Sequence, residues 1–515
     1  MAFAMSRHLP GCQLSQPARA GQRPCGRAVT PARSVRARGL NRSANRSRWS
    51  SGNAGGPGGD AADGVAGGQL AELRGDEGQL LEACSSLTPS QVVWGAAEDL
   101  AAEFAAVDRH VFQCSARVQR AMARARVGPH HFQGSTGYGH GDIGRDALDE
   151  IVAEVMGAES AMVRAQFMSG THAIATALYA CLRPGDELLA AVGAPYDTME
   201  EVIGLRGVPN VGSLRDWGVS YREHPTLDGG RVDVEGLGAA VARGGGKTRV
   251  VLVQRSCGYA LRPTLTIEEV GACVRAVKEA DPDCLVLVDN CYGEFVEAKE
   301  PPAVGADLCM GSLIKNGGGT IVPGGGYVAG RADLIDRVAA RLSAPGLSTD
   351  AGQVDGTTLR LMFQGLWLAP QMTAEALKGG MLVAAVMRAE GHAVDPKMAR
   401  WPRVDFITPV ELGSPEAMVA FARALQERSP VGSYIRPEPG VTAGYGDPVV
   451  FADGTFIDGA TSEMSADGPM RAPYVIYCQG GNHWTHWAYA LEGVVEALRG
   501  LAGSEQAERA DSVAA

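Results

Sequence analysis

The stretch MGSLIKNGGGTIVPGGGYVAG, residues 310–330, decides the fold and the chemistry that we expect of this chain. Lys315 follows a short apolar run, and glycines follow it up to Tyr327. Strands are predicted over 307–313 and 325–329, so this lysine lies in a glycine-rich turn between two buried strands. Taken alone, it is most simply a solvated loop lysine. The alternative is an amine that forms a Schiff base, with glycines that let a planar ligand approach the backbone.

The chain around that stretch alternates short apolar strands with amphipathic helices. Strands of near-continuous apolar character indicate a mostly parallel sheet covered by helices on both faces. From about Leu359 the pattern changes to helices mixed with alternating strands, which is typical of a smaller α+β domain. We therefore predict an α/β fold with two domains. The further predicted strands are 161–167, 187–192, 249–254 and 284–288, and the predicted helices are 91–126, 145–156, 196–204 and 266–280.

The predicted organisation has five parts. They are a transit peptide and linker (1–70), an N-terminal helical arm (71–130), a large domain with the mostly parallel sheet (131–357), a small C-terminal domain (358–502) and a disordered tail (503–515).

The charge distribution separates the start of the chain from its body. The first 59 residues contain ten arginines and no acid, which is typical of an organelle transit peptide, the chloroplast being preferred to the mitochondrion. A basic tail that binds nucleic acid is the alternative. The whole chain carries −11, so residues 60–515 carry −21 and offer no basic surface for nucleic acid. No apolar run reaches membrane-spanning length. The eleven cysteines lack metal-ligand spacing, and we predict neither metal nor disulfides.

Polar residues follow the predicted strands at the edge where α/β sheets bind ligands. Asp289 comes directly after an apolar strand and could hold the nitrogen of a pyridine ring protonated, although a turn or cap role is equally compatible. A helix opens at Ser169, Gly170 and Thr171, where N–H groups can bind a phosphate. A simple helix cap is the alternative there.

Two more residues complete the pattern. Tyr196 could stack on a cofactor ring or be an ordinary core or interface tyrosine. Ser312 stands three residues before Lys315 and could donate to a phosphate. An amine, a carboxylate, a phosphate cradle and an aromatic ring in one βα array together predict a site for pyridoxal 5′-phosphate.

Eight motifs between Leu87 and Ala497 carry a family resemblance. They are STGYGHGDIGRD, RAQFMSGTHA, LRPGDELL, PYDTMEEVIG, VDNCYGEFVE, GSLIKNGGG, RPEPG and SADGPMRAPY. Together they resemble the aluminium-resistance, or methionine gamma-lyase-like, family of pyridoxal phosphate enzymes. That family belongs to the Cys/Met-metabolism group with the aspartate-aminotransferase-like fold, fold type I. The resemblance implies the same fold, with the cofactor in the large domain.

The resemblance also implies roles for single residues. Lys315 would be the Schiff-base lysine and general base, Asp289 would pair with the pyridinium, and Tyr196 would stack on the ring. The phosphate would be held by Ser169, Gly170, Thr171 and Ser312. Tyr138 and Arg145 would reach the phosphate of a neighbouring subunit, which implies a homodimer or homotetramer. Arg471, or alternatively Arg255, would bind the substrate carboxylate.

The implied function is a carbon–sulfur lyase acting on a small sulfur-containing amino acid, of the methionine gamma-lyase or cystathionine beta-lyase type. Two alternatives stay open. One is a pyridoxal-phosphate-binding protein with a regulatory role in stress tolerance and little turnover. The other is a different reaction of the same cofactor, such as transamination.

Overall fold

The computed structural model describes residue 84 and residues 86–395, 399–442 and 444–514. The predicted transit peptide and linker, residues 1–70, lie outside this part of the chain.

The N-terminal arm consists of two helices, α1 (Pro89–Asp99) and α2 (Ala101–Arg124). Thr88 caps α1 in a reciprocal capping box with Gln91, which satisfies two backbone donors at the start of the helix. Leu100 separates the helices with a non-helical φ of −92° and ψ of 3°. The segment is therefore helical, as predicted, but has one break.

The larger of the two sheets has seven strands. Its strands are β1 (Ser160–Arg164), β2 (Glu187–Ala190), β3 (Ser220–Glu223), β4 (Thr248–Gln254), β5 (Leu285–Asp289), β6 (Leu308–Ser312) and β7 (Gly326–Gly330). They lie in the order β1-β7-β6-β5-β4-β2-β3. Only β7 runs antiparallel to its neighbours, β6 and β1, within this sheet. The prediction of a mostly parallel sheet is confirmed.

Helices cover both faces of that sheet. They are α3 (Ile143–Met156), α4 (Gly170–Cys181), α5 (Asp197–Ile203), α6 (Val234–Arg243), α7 (Ile267–Ala280) and α8 (Ala332–Leu342). Side chains alternate between the faces of a strand. In β5, Val286 and Val288 accordingly belong to one apolar core, and Leu285 and Leu287 belong to the core on the other face.

A long helix and a second sheet complete the chain. The elements are α9 (Gly356–Ala389), β8 (Thr408–Glu411), α10 (Pro415–Glu427), β9 (Val449–Ala452), β10 (Ser465–Pro469), β11 (Val475–Gln479) and α11 (Trp484–Ala514). The four strands are antiparallel in the order β8-β11-β10-β9. Residues 503–514, expected as a disordered tail, instead continue α11, because their Ala- and Glu-rich sequence favours helix. In the part of the chain that the structure covers, no helix is both long and apolar enough to cross a bilayer.

Candidate active site

A cavity of about 250 Å³ lies where the carboxyl ends of the parallel strands face the second sheet. Parallel strands end at the same edge, so residues that are distant in sequence meet there. The wall from the large sheet includes seven residues predicted for the site: Ser169, Gly170, Thr171, Tyr196, Asp289, Ser312 and Lys315. The wall from the second sheet and its loops adds Tyr445, Phe451, Asp453, Thr461, Ser465, Asp467 and Gln479.

Lys315 follows β6 in the turn that leads to β7 and is partly buried. Its amine lies 3.9 Å from the centre of the Tyr292 ring. Burial lowers the pKa of the Lys315 amine, but its interactions with Tyr292, Cys291 and Asp289 raise it more strongly, so the pKa lies above its ordinary value. The structure therefore holds this amine beside an aromatic face and within reach of carboxylate charge, at the edge where the cavity opens.

Asp289 is the last residue of β5. Its Oδ1 accepts a hydrogen bond of 3.0 Å from the backbone N–H of Cys291. Burial raises the pKa of the Asp289 carboxyl, while that hydrogen bond and the positive charge of Lys315 oppose the shift. A cationic ring nitrogen next to this carboxylate would favour its ionised form.

The start of α4 has the features of an anion-binding site. Ser169 caps the helix by accepting from the N–H of His172. Among the described residues, the N–H groups of Gly170 and Thr171 have no acceptor. A Cβ on Gly170 would come within 3.0 Å of the Ser312 Cβ, so the helix start and the end of β6 are in close contact. Two free donors, a helix dipole and the Ser312 hydroxyl thus converge, as a phosphate requires.

Tyr196 precedes α5 and borders the same cavity. Its hydroxyl lies 2.8 Å from the hydroxyl of Tyr445, and the two rings meet edge to face with centres 6.1 Å apart. A Cβ on Gly258 would lie 2.8 Å from the Tyr196 ring, so the absence of a side chain there leaves room for it. Burial raises the pKa of the Tyr196 hydroxyl, which is therefore protonated at neutral pH.

Asp467 in β10 is a cavity residue that sequence reasoning missed. Its carboxylate accepts hydrogen bonds from the Tyr259 hydroxyl and, at 2.6 Å, from the side-chain amide of Gln479. Burial raises the pKa of Asp467 to about 7. The available signal was an acidic residue between alanine and glycine in the motif SADGP.

The two arginines predicted for the substrate carboxylate do not line the cavity. Arg255 is fully buried and bonds the carbonyl oxygens of Leu265 and Gly293, besides pairing with Glu297 and Asn290. Arg471 is half-exposed and pairs with Asp447 at 2.8 Å. Within the described residues, Lys315 is the only cation among those lining the cavity.

Tyr138 and Arg145 differ in their exposure. Tyr138 is 65% exposed and its ring stacks on that of His140, with centres 5.4 Å apart. Arg145 is buried, and its guanidinium bonds Asp146, Asp350 and the Gly139 carbonyl of its own chain. Of the two residues predicted to reach a neighbouring subunit, the structure leaves Tyr138 accessible.

One of the glycines after Lys315 packs against a helix. A Cβ on Gly319, whose φ is 56°, would lie 2.3 Å from the carbonyl oxygen of Gly365 in α9. The glycine turn is therefore packed against a helix, and its small residues permit that contact. That these glycines also let a planar ligand approach the backbone stays a prediction.

These residues fit pyridoxal phosphate. The two free N–H groups at the start of α4 and the Ser312 hydroxyl suit its phosphate, the Lys315 amine suits its aldehyde, and Asp289 suits its ring nitrogen. Among the residues that the structure describes, no group of three or more His, Cys, Asp or Glu could hold a metal ion.

Known proteins are similar to this chain over nearly all of its described residues. The family model for methionine gamma-lyase matches residues 90–499. The uncharacterized protein YnbB of Bacillus subtilis (strain 168) is 43% identical over 419 residues, which are 80% of this chain and 98% of YnbB.

Two solved structures are similar as well. One, from Listeria monocytogenes, is named as a proposed cystathionine beta-lyase involved in aluminium resistance. It is 42% identical with a TM-score of 0.75 and covers 79% of this chain and 99% of its own. The other is a carbon–sulfur lyase involved in aluminium resistance from Clostridium novyi NT. It is 38% identical with a TM-score of 0.74 and covers 79% of this chain and 94% of its own.

These relatives correct the predicted location. An organelle, with the chloroplast preferred, is wrong on this finding, because the relatives are proteins of bacteria, which have neither chloroplasts nor mitochondria. The prediction rested on an arginine-rich, acid-free composition, which does not by itself specify an organelle. The segment in question precedes the matched residues 90–499.

Proposed function

The chain belongs to the methionine gamma-lyase family, and on that premise we propose that it is a carbon–sulfur lyase of small sulfur-containing amino acids. Pyridoxal 5′-phosphate is the cofactor. The substrate would be of the kind cleaved by methionine gamma-lyase or cystathionine beta-lyase. The names of the Listeria and Clostridium novyi relatives support this class of reaction.

One observation supports the proposal most strongly: Lys315, Asp289 and the free N–H groups at the start of α4 all border one cavity. Gly170, Thr171 and Ser312 would hold the phosphate, and Ser169 would fix the helix start as its cap. Tyr196 would lie against the ring. When bound, the cofactor supplies an electron sink that makes the Cα proton of an amino acid acidic.

The proton movements would be made by residues of the cavity wall. The Lys315 amine, once displaced by the amino group of the substrate, would take the Cα proton as general base. Asp289 would keep the ring nitrogen protonated. Tyr196, which lines the cavity and is protonated, or alternatively Tyr138, would give a proton to the leaving sulfur. The electron pair of the carbon–sulfur bond would leave with sulfur, which takes that proton to become the free thiol. Water would then hydrolyse the remaining carbon fragment to an oxo-acid and ammonia.

We propose a homodimer or homotetramer in which Tyr138 extends to the phosphate of the neighbouring subunit. Its 65% exposure supports this role. Arg145 would then support the loop that carries Tyr138, since it bonds the Gly139 carbonyl at 2.7 Å.

A second candidate is a pyridoxal-phosphate-binding protein that acts in aluminium resistance with little lyase turnover. It is favoured by one observation: neither Arg471 nor Arg255 lines the cavity, so no arginine of the described residues is ready for a substrate carboxylate there.

Product analysis separates these functions. Purified protein with bound cofactor is incubated with L-methionine and with L-cystathionine, and thiol, ammonia and oxo-acid are measured. A lyase releases all three in equal amounts without any added oxo-acid, and the Lys315→Ala variant releases none. Dependence on an added oxo-acid would indicate transamination, and bound cofactor with no product from either substrate would favour the second candidate.

A further inference from the structure

Three polar side chains form a cluster on the wall that the second sheet contributes to the cavity. Ser465 and Asp467 are two residues apart on β10, so they point to the same face of the sheet. Gln479 on β11 is the cross-strand partner of Ser465. All three line the cavity that contains Lys315. Each is at most 4% exposed, so the cluster is fully desolvated apart from the cavity itself.

Two atoms of this cluster have no hydrogen-bond partner among the described residues. They are the Ser465 hydroxyl oxygen and the Gln479 Oε1. The orientation of the Gln479 amide follows from its 2.6 Å hydrogen bond to Asp467, which its nitrogen donates. Its oxygen is therefore a free acceptor. Buried polar atoms without partners are uncommon in folded proteins, and a water, an ion or a ligand in the adjoining cavity would supply the partner.

The cluster presents acceptors to the cavity. The Asp467 carboxylate is held at both oxygens, by the Tyr259 hydroxyl and the Gln479 amide, and retains further lone pairs. Lys315, the only cation among the described lining residues, would be engaged by the cofactor aldehyde. Asp289 would be engaged by the ring nitrogen. Asp467 is then the remaining buried carboxyl group among the described residues of the cavity wall, and the proposed mechanism does not use it. An ammonium beside it would favour its ionised form.

We propose that Ser465, Asp467 and Gln479 form a subsite for an ammonium group on the substrate side chain, beyond its sulfur atom. This inference rests on the proposed lyase function and narrows its substrate class to sulfur amino acids whose leaving thiol carries a cation. An ammonium has three donors, which match the Asp467 carboxylate, the Gln479 oxygen and the Ser465 hydroxyl oxygen. A purely apolar leaving group would leave these three acceptors desolvated and unpaired.

Three cysteine derivatives of similar size test the subsite. S-(2-aminoethyl)-L-cysteine carries the cation, S-propyl-L-cysteine is its neutral isostere, and S-carboxymethyl-L-cysteine carries an anion. Two quantities are measured with the cofactor-loaded protein: kcat/KM from thiol release, and the dissociation constant from the change in cofactor absorption within the first turnover. Binding constants are obtained whether or not turnover follows.

Wild-type protein should prefer the aminoethyl compound to the propyl compound by about 10- to 100-fold, and the carboxymethyl compound should bind worst. In Asp467→Asn that preference should shrink by about 10-fold or more. The ratio of the constants measured for two compounds with one variant is not affected by a general loss of folded protein or of cofactor. Ser465→Ala keeps the carboxylate and should reduce the preference by a smaller factor. It is the test variant if Asp467→Asn does not fold. Asp333→Asn, the same change at an exposed site on α8, should leave the ratio as in wild type.

The outcomes separate this inference from the proposed function. Selective binding of the aminoethyl compound without thiol release supports the subsite and contradicts a lyase that eliminates at the β carbon; methionine, cleaved at the γ carbon, then tests the remaining form of the proposed function. Thiol release with equal preference in wild type and Asp467→Asn supports the lyase and overturns the subsite. A wild-type preference for the propyl or carboxymethyl compound, or no binding of any of the three, also overturns it.

Discussion

Glu294 is a buried carboxyl group near the site that contacts no solvent. Its Oε1 accepts a 2.8 Å hydrogen bond from the Tyr327 hydroxyl, and its Oε2 has no partner among the described residues. Burial raises the pKa of Glu294 to about 8. Because the folded-state pKa lies above the ordinary value, the protonated form contributes stability that is complete below about pH 4 and is lost as pH rises through about 8.

The variant Glu294→Gln tests this account of Glu294. An amide cannot ionise, so the variant should lose less stability than wild type between about pH 5 and about pH 9, by on the order of 3 kcal/mol. The measurement is the free energy of unfolding across that range with the cofactor saturating. Glu279→Gln, an exposed site on α7, is the control and should follow wild type. Parallel pH curves for wild type and Glu294→Gln would show that Glu294 is ionised in the folded protein throughout.

At the residue scale, the sequence predicted the half of the cavity that comes from the large sheet. Lys315, Asp289 and Ser312 each follow or end an apolar strand, and that local pattern is visible without a structure. Ser465 and Gln479 were missed because they meet through strand pairing across a hairpin. No local pattern marks either as a site residue. Arg255 was proposed as a binding residue, but the structure gives its guanidinium four partners within its own chain.

At the scale of elements, α9 supports the turn that carries Lys315. A Cβ on Gly365 of this helix would lie 2.3 Å from the Gly318 carbonyl oxygen and 2.7 Å from Val322. The turn and the helix backbone are therefore in direct contact. Any side chain at Gly365 would displace the turn, and with it the Lys315 amine.

Gly365→Ala should accordingly destabilise the protein by about 1–3 kcal/mol through overpacking and should weaken cofactor binding. Thermal unfolding and titration with pyridoxal phosphate measure the two effects. The control is Gly500→Ala in α11, where a Cβ meets nothing within 4 Å and should stabilise the helix by up to about 1 kcal/mol. If both variants were equally stable and bound cofactor equally well, the contact with α9 would not position the turn.

The elements of the large sheet were the most predictable part of the fold. The apolar runs at β4 and β5 and the capped helix at Thr266 were recognised because burial on both faces and capping leave local sequence patterns. The antiparallel direction of β7 was not predictable in that way, because it depends on the path of the turn after Lys315. The 34 residues of α9 were not delimited as one helix, since Pro370 and several glycines interrupt its pattern.

At the scale of the whole molecule, the proposed oligomer has sites shared between subunits. Tyr138 would serve the neighbour's site, while Lys315 serves the site of its own chain. Two inactive variants should therefore restore activity when mixed under conditions that exchange subunits. With Lys315→Ala and Tyr138→Ala, random pairing should give about a quarter of the wild-type activity, because half of the dimers contain one intact site.

The control mixture combines Lys315→Ala with Asp289→Ala. Both residues would serve the site of their own chain, so every site in that mixture lacks one of them and no activity should return. If the mixture with Tyr138→Ala never exceeded the more active of its two parents, Tyr138 would not act across a subunit interface.

We propose that Lys315 binds pyridoxal phosphate covalently. The direct measurement is reduction of the cofactor-loaded protein with borohydride, followed by proteolysis and mass spectrometry. We predict one reduced pyridoxal phosphate per chain on the peptide with Lys315, the same label in the control Lys247→Ala, whose lysine is exposed, and none in Lys315→Ala. A label on another lysine, or equal labelling of Lys315→Ala and wild type, would contradict the account.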